Sequence, residues 1–201
     1  MSLSFAKPTT RTIIRTLIPI GTALLAFVVT GFLLLAGGFD PLEAYGLILQ
    51  GSVGGVREGG ETLVRTTSLL LTGLAVGFAF RCKIWNIGAE GQLYFGAIGA
   101  VVIALTVVGQ IPVFGIIIAI IFAMIFGAGW AAIAGVLKSR LGVNEIIVTV
   151  MLNFIAILFV DFLVHGALKA PGFEPQTALI PLTSQLPILI EGTRFHAGFL
   201  V

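Results

Sequence analysis

The sequence has 201 residues, of which 58% are hydrophobic and 10% charged, with 26 glycines and a formal net charge of +2. A mean hydropathy of +1.13 excludes an ordinary soluble domain and points to a chain that lives in lipid, where glycine is common at helix contacts. No cationic patch with interleaved aromatics accompanies the basic balance, so nothing in it points to a nucleic-acid partner.

A helix that crosses a bilayer needs about 20 mostly apolar residues. Five stretches approach or meet that demand, at roughly Leu17 to Gly38, Leu63 to Phe80, Leu93 to Val108, Ile111 to Val136 and Ile146 to Val164. The expected fold class is therefore all-α, a polytopic transmembrane helix bundle in a single domain over residues 1–201. The first stretch follows Lys7, Arg11 and Arg15, as a secretory signal would, but its apolar run exceeds the ~7–15 residues of a signal core. It is read as a retained helix.

After it, Phe39, Asp40 and Pro41 form a helix stop and restart. Leu42 to Leu49 then reads as a short amphipathic or interfacial piece, and GSVGGVREGG as a flexible turn.

The second and third stretches are separated by RCKIWNIGAEGQ, Arg81 to Gln92. Here Asn86, Glu90 and Gln92 sit among Gly88 and Gly91, and polar groups beside lipid-facing runs are costly unless they have a role. Residues 84–92 support two readings. One is a broken or re-entrant segment lining a translocation path, since irregular backbone at membrane depth survives only against protein or a water-filled cavity. The other is a plain loop with Trp85 and Tyr94 as interfacial aromatics. Cys82, the single cysteine, offers neither a disulfide framework nor a metal cluster.

The fourth stretch ends in LKSRLGVNE. Lys138 and Arg140 close it, Gly142 permits a turn, Asn144 is placed to cap the next helix, and Glu145 suits that helix's N-terminal dipole. An ordinary capped connection accounts for these residues, and so does a docking element shown to a partner. In the fifth stretch Thr149 and Asn153 are four residues apart on one face, with Asp161 two turns on. Helix-to-helix hydrogen bonding and contact with a polar pathway both fit Asn153.

From His165 to Phe195 the chain carries Pro171, Pro175, Pro181 and Pro187, which predicts a loop or short helices against the membrane surface. HAGFLV then has the character of the start of a sixth span.

Cations gather in cytoplasmic loops. Threading from a cytoplasmic N-terminus puts Lys7, Arg11, Arg15, Arg81, Lys83, Lys138 and Arg140 inside. Outside fall Arg57, Arg65, Lys169 and Arg194, accompanied by six carboxylates that include Asp40, Glu61 and Glu191.

TLVRTTSLLLTGLAVGFAFRCKIWNIGAEGQLYFGAIGA, Thr62 to Ala100, and LKSRLGVNEIIVTVMLNFIA, Leu137 to Ala156, resemble permease subunits of bacterial ABC importers. The branch is the one that handles nucleosides and simple sugars with a BMP-type binding lipoprotein, related to ribose and branched-chain amino acid permeases. The resemblance covers most of the chain from about residue 10 onward. Against that family the chain is short by several C-terminal spans, so the resemblance implies the N-terminal portion of a longer permease.

The resemblance implies a multi-pass subunit of the bacterial cell membrane that pairs with a second permease and receives solute from an external substrate-binding lipoprotein. ATP and Mg would be bound by a cytoplasmic ABC ATPase, with no cofactor or metal on this chain, which lacks a G-x-x-x-x-G-K-[ST] phosphate loop. Residues 138–145 would be the cytoplasmic coupling segment, with Lys138, Arg140, Gly142, Asn144 and Glu145 facing the ATPase. Asn86, Gly88, Glu90, Gln92 and Asn153 would line the path. A competing class is an ion- or proton-coupled secondary transporter, with Asp161 or Glu90 carrying the charge. An intramembrane enzyme is disfavoured, because His165 and His196 lie far apart without companions suited to catalysis.

Overall fold

A computed structural model describes residues 10–106 and 110–200, with side chains described for 17–106 and 110–199. Lys7, the Arg11 and Arg15 side chains and the Val108 end of the third predicted span lie outside the described residues. Six α-helices follow one another: α1 (Thr10–Ala36), α2 (Pro41–Val53), α3 (Val56–Arg81), α4 (Ala89–Ala104), α5 (Phe114–Leu141) and α6 (Glu145–His165). Short 3-10 turns occur at Leu182–Ser184 and Ala197–Leu200. The fold is the expected all-helical polytopic bundle.

Among the described residues, four helices are long and apolar enough to cross a membrane: α1 over Leu17–Ala36, and α3, α5 and α6 over their full lengths. The third predicted span is shifted. Its helix begins at Ala89 rather than Leu93 and ends at Ala104, so its 16 residues fall short of the usual spanning length. The outward faces of the long helices are apolar, with Leu24, Leu74, Phe78, Met124 and Leu158 all more than half exposed. Such faces suit lipid rather than water. Hydroxyls in α3 are turned onto its own backbone, Thr66 donating to the Thr62 carbonyl and Thr67 to that of Leu63, which masks them in an apolar setting.

The chain divides after Gly59 into two compact units. In the first, Asp40 caps α2 by accepting from the Leu42 N–H at 2.8 Å, with Pro41 at the first helical position. The Tyr45 hydroxyl donates to the Phe27 carbonyl of α1 at 2.5 Å. The predicted flexible turn GSVGGVREGG is mostly helical, because α2 runs to Val53 and α3 resumes at Val56, leaving Gly54 and Gly55 as the link. Glycine weakens an isolated helix but is tolerated in helices that pack closely, and here its abundance did not signal a turn.

The second unit is built around α4, which packs most extensively on α5 and also on α6. Small residues permit the approach: a Cβ at Gly99 would lie 2.8 Å from the Phe122 carbonyl oxygen, and one at Gly96 3.2 Å from that of Ala123. Phe95 of α4 stacks on Trp130 of α5 with centroids 3.6 Å apart and on Phe159 of α6 at 5.5 Å, tying the three helices together. The proline-bearing segment after α6 is irregular, as predicted. Its Thr193 sits over Gly60 of α3, and Arg194 forms a two-bond ion pair with Glu61, with Nε donating to Oε1 at 2.7 Å. That pairing holds the Arg194 guanidinium above its usual range.

Candidate functional site

The break between α3 and α4 is ordered by bonds from three directions. At its start α3 ends in a Schellman arrangement, the Lys83 N–H donating to the Phe80 carbonyl and the Ile84 N–H to that of Ala79. Lys83 occupies the left-handed position, φ 58°, that glycine usually takes. Non-helical chain continues to Gly88, so Ala89 to Gln92, predicted as part of the break, form the first turn of α4.

From α6, Asn153 works like a piece of strand edge. Its Nδ2 donates to the Ile87 carbonyl at 2.9 Å and its Oδ1 accepts from the Gly91 N–H at 2.8 Å. One turn earlier, Thr149 Oγ1 accepts from the Ile87 N–H at 3.3 Å while donating to the Glu145 carbonyl at 2.7 Å. Both polar ends of Asn153 are therefore spent on backbone, the helix-to-helix role rather than a free polar contact. Gly91 and Gly88 are required by this proximity: a Cβ on Gly91 would lie 2.9 Å from Asn153 Oδ1 and 3.0 Å from Trp130 Nε1, and one on Gly88 3.0 Å from Thr149 Cβ.

Within the break, Asn86 and Gln92 join in a reciprocal amide pair. Asn86 Nδ2 donates to Gln92 Oε1 at 3.2 Å, and Gln92 Nε2 donates to Asn86 Oδ1 at 3.1 Å. The same Asn86 oxygen accepts from the Gly88 N–H at 3.0 Å.

These two amides open into a cavity of about 540 Å³, whose walls include Cys82, Lys83, Ala131, Ala134, Lys138, Glu145 and Thr149. The connection between α5 and α6 thus shares a cavity with the break. Gly142 closes α5 in the left-handed region, φ 66°, and Asn144 caps α6 by accepting from the Ile146 N–H at 2.9 Å. Lys138 and Glu145 form an ion pair across the turn. Arg140, Leu141 and Val143 remain exposed at its tip.

Of the path residues predicted, Asn86, Gly88, Gln92 and Asn153 are brought together, with Gly91 beside them. Glu90 is not. It faces a separate groove beside Ser68, Thr72 and Gly73 of α3. Asp161 is 67% exposed and pairs with His165 at 3.3 Å, outside the cavity. Sequence reasoning overlooked Trp130, whose Nε1 is the buried side-chain polar atom left without a hydrogen-bond partner among the described residues. The only available hint was a tryptophan amid the small residues of GAGWAA.

Residues 60–199 match the family described as branched-chain amino acid transport system / permease component. The guanosine ABC transporter permease protein NupP of Bacillus subtilis is 33% identical over 190 residues, covering 92% of this chain and 54% of the relative. The glucose ABC transporter permease protein of Haloferax volcanii is 33% identical over 198 residues, covering 91% and 51% respectively. The nucleoside ABC transporter permease protein NupB of Lactococcus lactis is 28% identical over 186 residues, covering 92% and 50%. The chain therefore spans about half the length of these relatives. No solved structure matches.

Proposed function

Because the chain belongs to the branched-chain amino acid transport system permease family, we propose that it acts as the membrane subunit of an ATP-driven importer that moves a nucleoside or simple sugar across the bacterial cell membrane. The observation that carries this reading is the position of Glu145. Its carboxylate pairs with Lys138 across the α5–α6 turn and lines the same cavity as Asn86 and Gln92, and its carbonyl accepts from Thr149, which also holds the Ile87 N–H, so one residue links the exposed turn to the break.

In this reading the turn, residues 138–145, docks on a cytoplasmic ABC ATPase through exposed Arg140, Leu141 and Val143. ATP is bound with Mg, and hydrolysed, on that separate chain. The cations at the α3 and α5 ends, Arg81, Lys83, Lys138 and Arg140, support a cytoplasmic position for those ends and, by threading, for the N-terminus. A second permease subunit completes the path, and an external binding lipoprotein delivers solute at the opposite face. Movement of the turn is passed through Glu145 to the break, where Asn86 and Gln92 line the route and Thr149 and Asn153 hold the backbone. The names of the relatives, guanosine, nucleoside and glucose permeases, support a neutral, hydrogen-bonding solute.

The test is gentle detergent extraction of the tagged full-length protein from its native membrane, with mass spectrometry of what stays bound. A stoichiometric ATP-binding protein is expected. Glu145→Lys and Gly142→Pro should release it and stop uptake while leaving membrane insertion intact. Retention of the ATPase in both variants would remove the docking role, and a clean homo-oligomer with uptake abolished by an uncoupler would replace the importer with an ion-coupled carrier.

A further inference from the structure

Resting on the importer reading above, we propose that Gln92 is a specificity-determining residue, and that the cavity takes a nucleobase through its lactam edge, the adjacent ring N–H and C=O, rather than a sugar through its hydroxyls. The carrying observation is the Asn86–Gln92 pair together with the space beside it.

The orientation of both amides follows from one fixed donor. The Gly88 N–H lies 3.0 Å from one Asn86 terminal atom, which must therefore be the oxygen. That oxygen also receives Gln92 Nε2, so Asn86 Nδ2 is left to meet Gln92 Oε1. Asn86 is thus pinned to the break at residue 88, whereas its pairing with Gln92 is the polar bond that fixes the Gln92 amide. At 3.1 and 3.2 Å the two bonds of the pair are longer than the ~2.9 Å optimum, and they join two side chains on the cavity wall rather than holding backbone.

A side-chain amide offers one N–H and one C=O side by side in a plane. What replaces it without leaving an unpaired polar atom is a group with the same two features at the same spacing, and a lactam edge of a nucleobase is such a group. A ligand of that kind can take the place of Asn86 on Gln92, or of Gln92 on Asn86, bond for bond, and the displaced amide turns to solvent in the cavity. A sugar presents rotating hydroxyls on a puckered ring and matches the planar pair at one point only.

The surroundings agree. The cavity volume of about 540 Å³ lies within the range of small-molecule sites. Ala131, Ala134 and Gly135 leave a shallow apolar wall on which a flat ring can lie, while Lys83 and Ser139 supply polar groups for the rest of the solute. A site with such polar groups discriminates strongly against analogues that leave them unpaired.

Cys82 lines the same cavity, is exposed, and has no disulfide partner, so it reports occupancy without any requirement for turnover. The experiment uses full-length transporter with its partner subunits in freeze-thawed membranes, so that both faces are accessible. The rate of Cys82 alkylation by iodoacetamide is followed by mass spectrometry of its peptide, with inosine, 1-methylinosine or ribose added. Inosine at roughly nine times its Kd should slow alkylation about tenfold by occupancy. 1-Methylinosine, which keeps the sugar but loses the ring N–H, and ribose should not protect. Gln92→Leu should abolish protection by inosine, read as the ratio of alkylation rates with and without inosine in the same variant, and Gln92→Glu, which accepts but does not donate, should do the same if the leucine variant does not assemble.

Equal protection by ribose or 1-methylinosine would overturn the lactam assignment. ATP-driven inosine uptake with Cys82 unprotected would overturn the site while leaving the importer reading in place. Absence of ATP-driven uptake of any nucleoside or sugar would overturn that reading, and this inference with it.

Discussion

Two connections wall the same cavity, and they are built in opposite ways. The α5–α6 turn is closed by neighbours in sequence: Gly142 in the left-handed region, Asn144 capping two residues ahead, Lys138 reaching seven residues to Glu145. The break between α3 and α4 is closed mainly by side chains 62 to 66 residues away, Thr149 and Asn153 of α6. A turn of the first kind keeps its shape wherever the helices go. A segment of the second kind has a shape only while α6 stays in register with it.

The comparison breaks most visibly at Gly91, where a larger side chain must displace Asn153 or Trp130. Gly91→Val is expected to cost about 3 kcal/mol through overpacking, seen as a collapse of the detergent-solubilised protein's melting temperature; a near-normal melt would mean that the break is not seated on α6.

Next comes Asn153→Leu, which leaves the Gly91 N–H and the Ile87 carbonyl without their partner and should cost about 2 kcal/mol. Amide exchange should accelerate at Gly91 and its neighbours and leave residues 142–146 unchanged. Exchange that rises equally in both connections would erase the distinction between them.

Asn144→Ala removes a local cap and should cost only about 1 kcal/mol. Denaturant unfolding that ranks it above Asn153→Leu would reverse the comparison. The smallest effect is a gain. Lys83 holds a left-handed conformation that glycine adopts without strain, so Lys83→Gly should stabilise by roughly 0.5 kcal/mol, read as a small rise in the same melt.

This difference also explains what could be read from the sequence. Asn144, Gly142 and Glu145 were legible because a cap and a turn announce themselves within a few residues. The position of the break was equally plain, since polar residues interrupt two apolar runs. Its construction was not, because nothing near Ile87 or Gly91 names Asn153 as their partner. The four-residue step from Thr149 to Asn153 marked a polar face but not what it faced. Glu90 looked equivalent to Asn86 and Gln92 by composition, yet the first turn of α4 points it into another groove. Glycine misled where it was most abundant: GSVGGVREGG read as a turn, whereas Gly60 lies inside α3 and leaves room for Thr193.

The brevity of α4 has a consequence for the bilayer itself. Its 16 residues rise about 24 Å, while the hydrocarbon layer is about 30 Å thick. Were α4 to cross such a layer, the missing rise at its cavity end would fall to the break, whose backbone is already satisfied by Thr149 and Asn153. Protein amides would then take up hydrophobic mismatch that otherwise tilts a helix or thins the lipid around it.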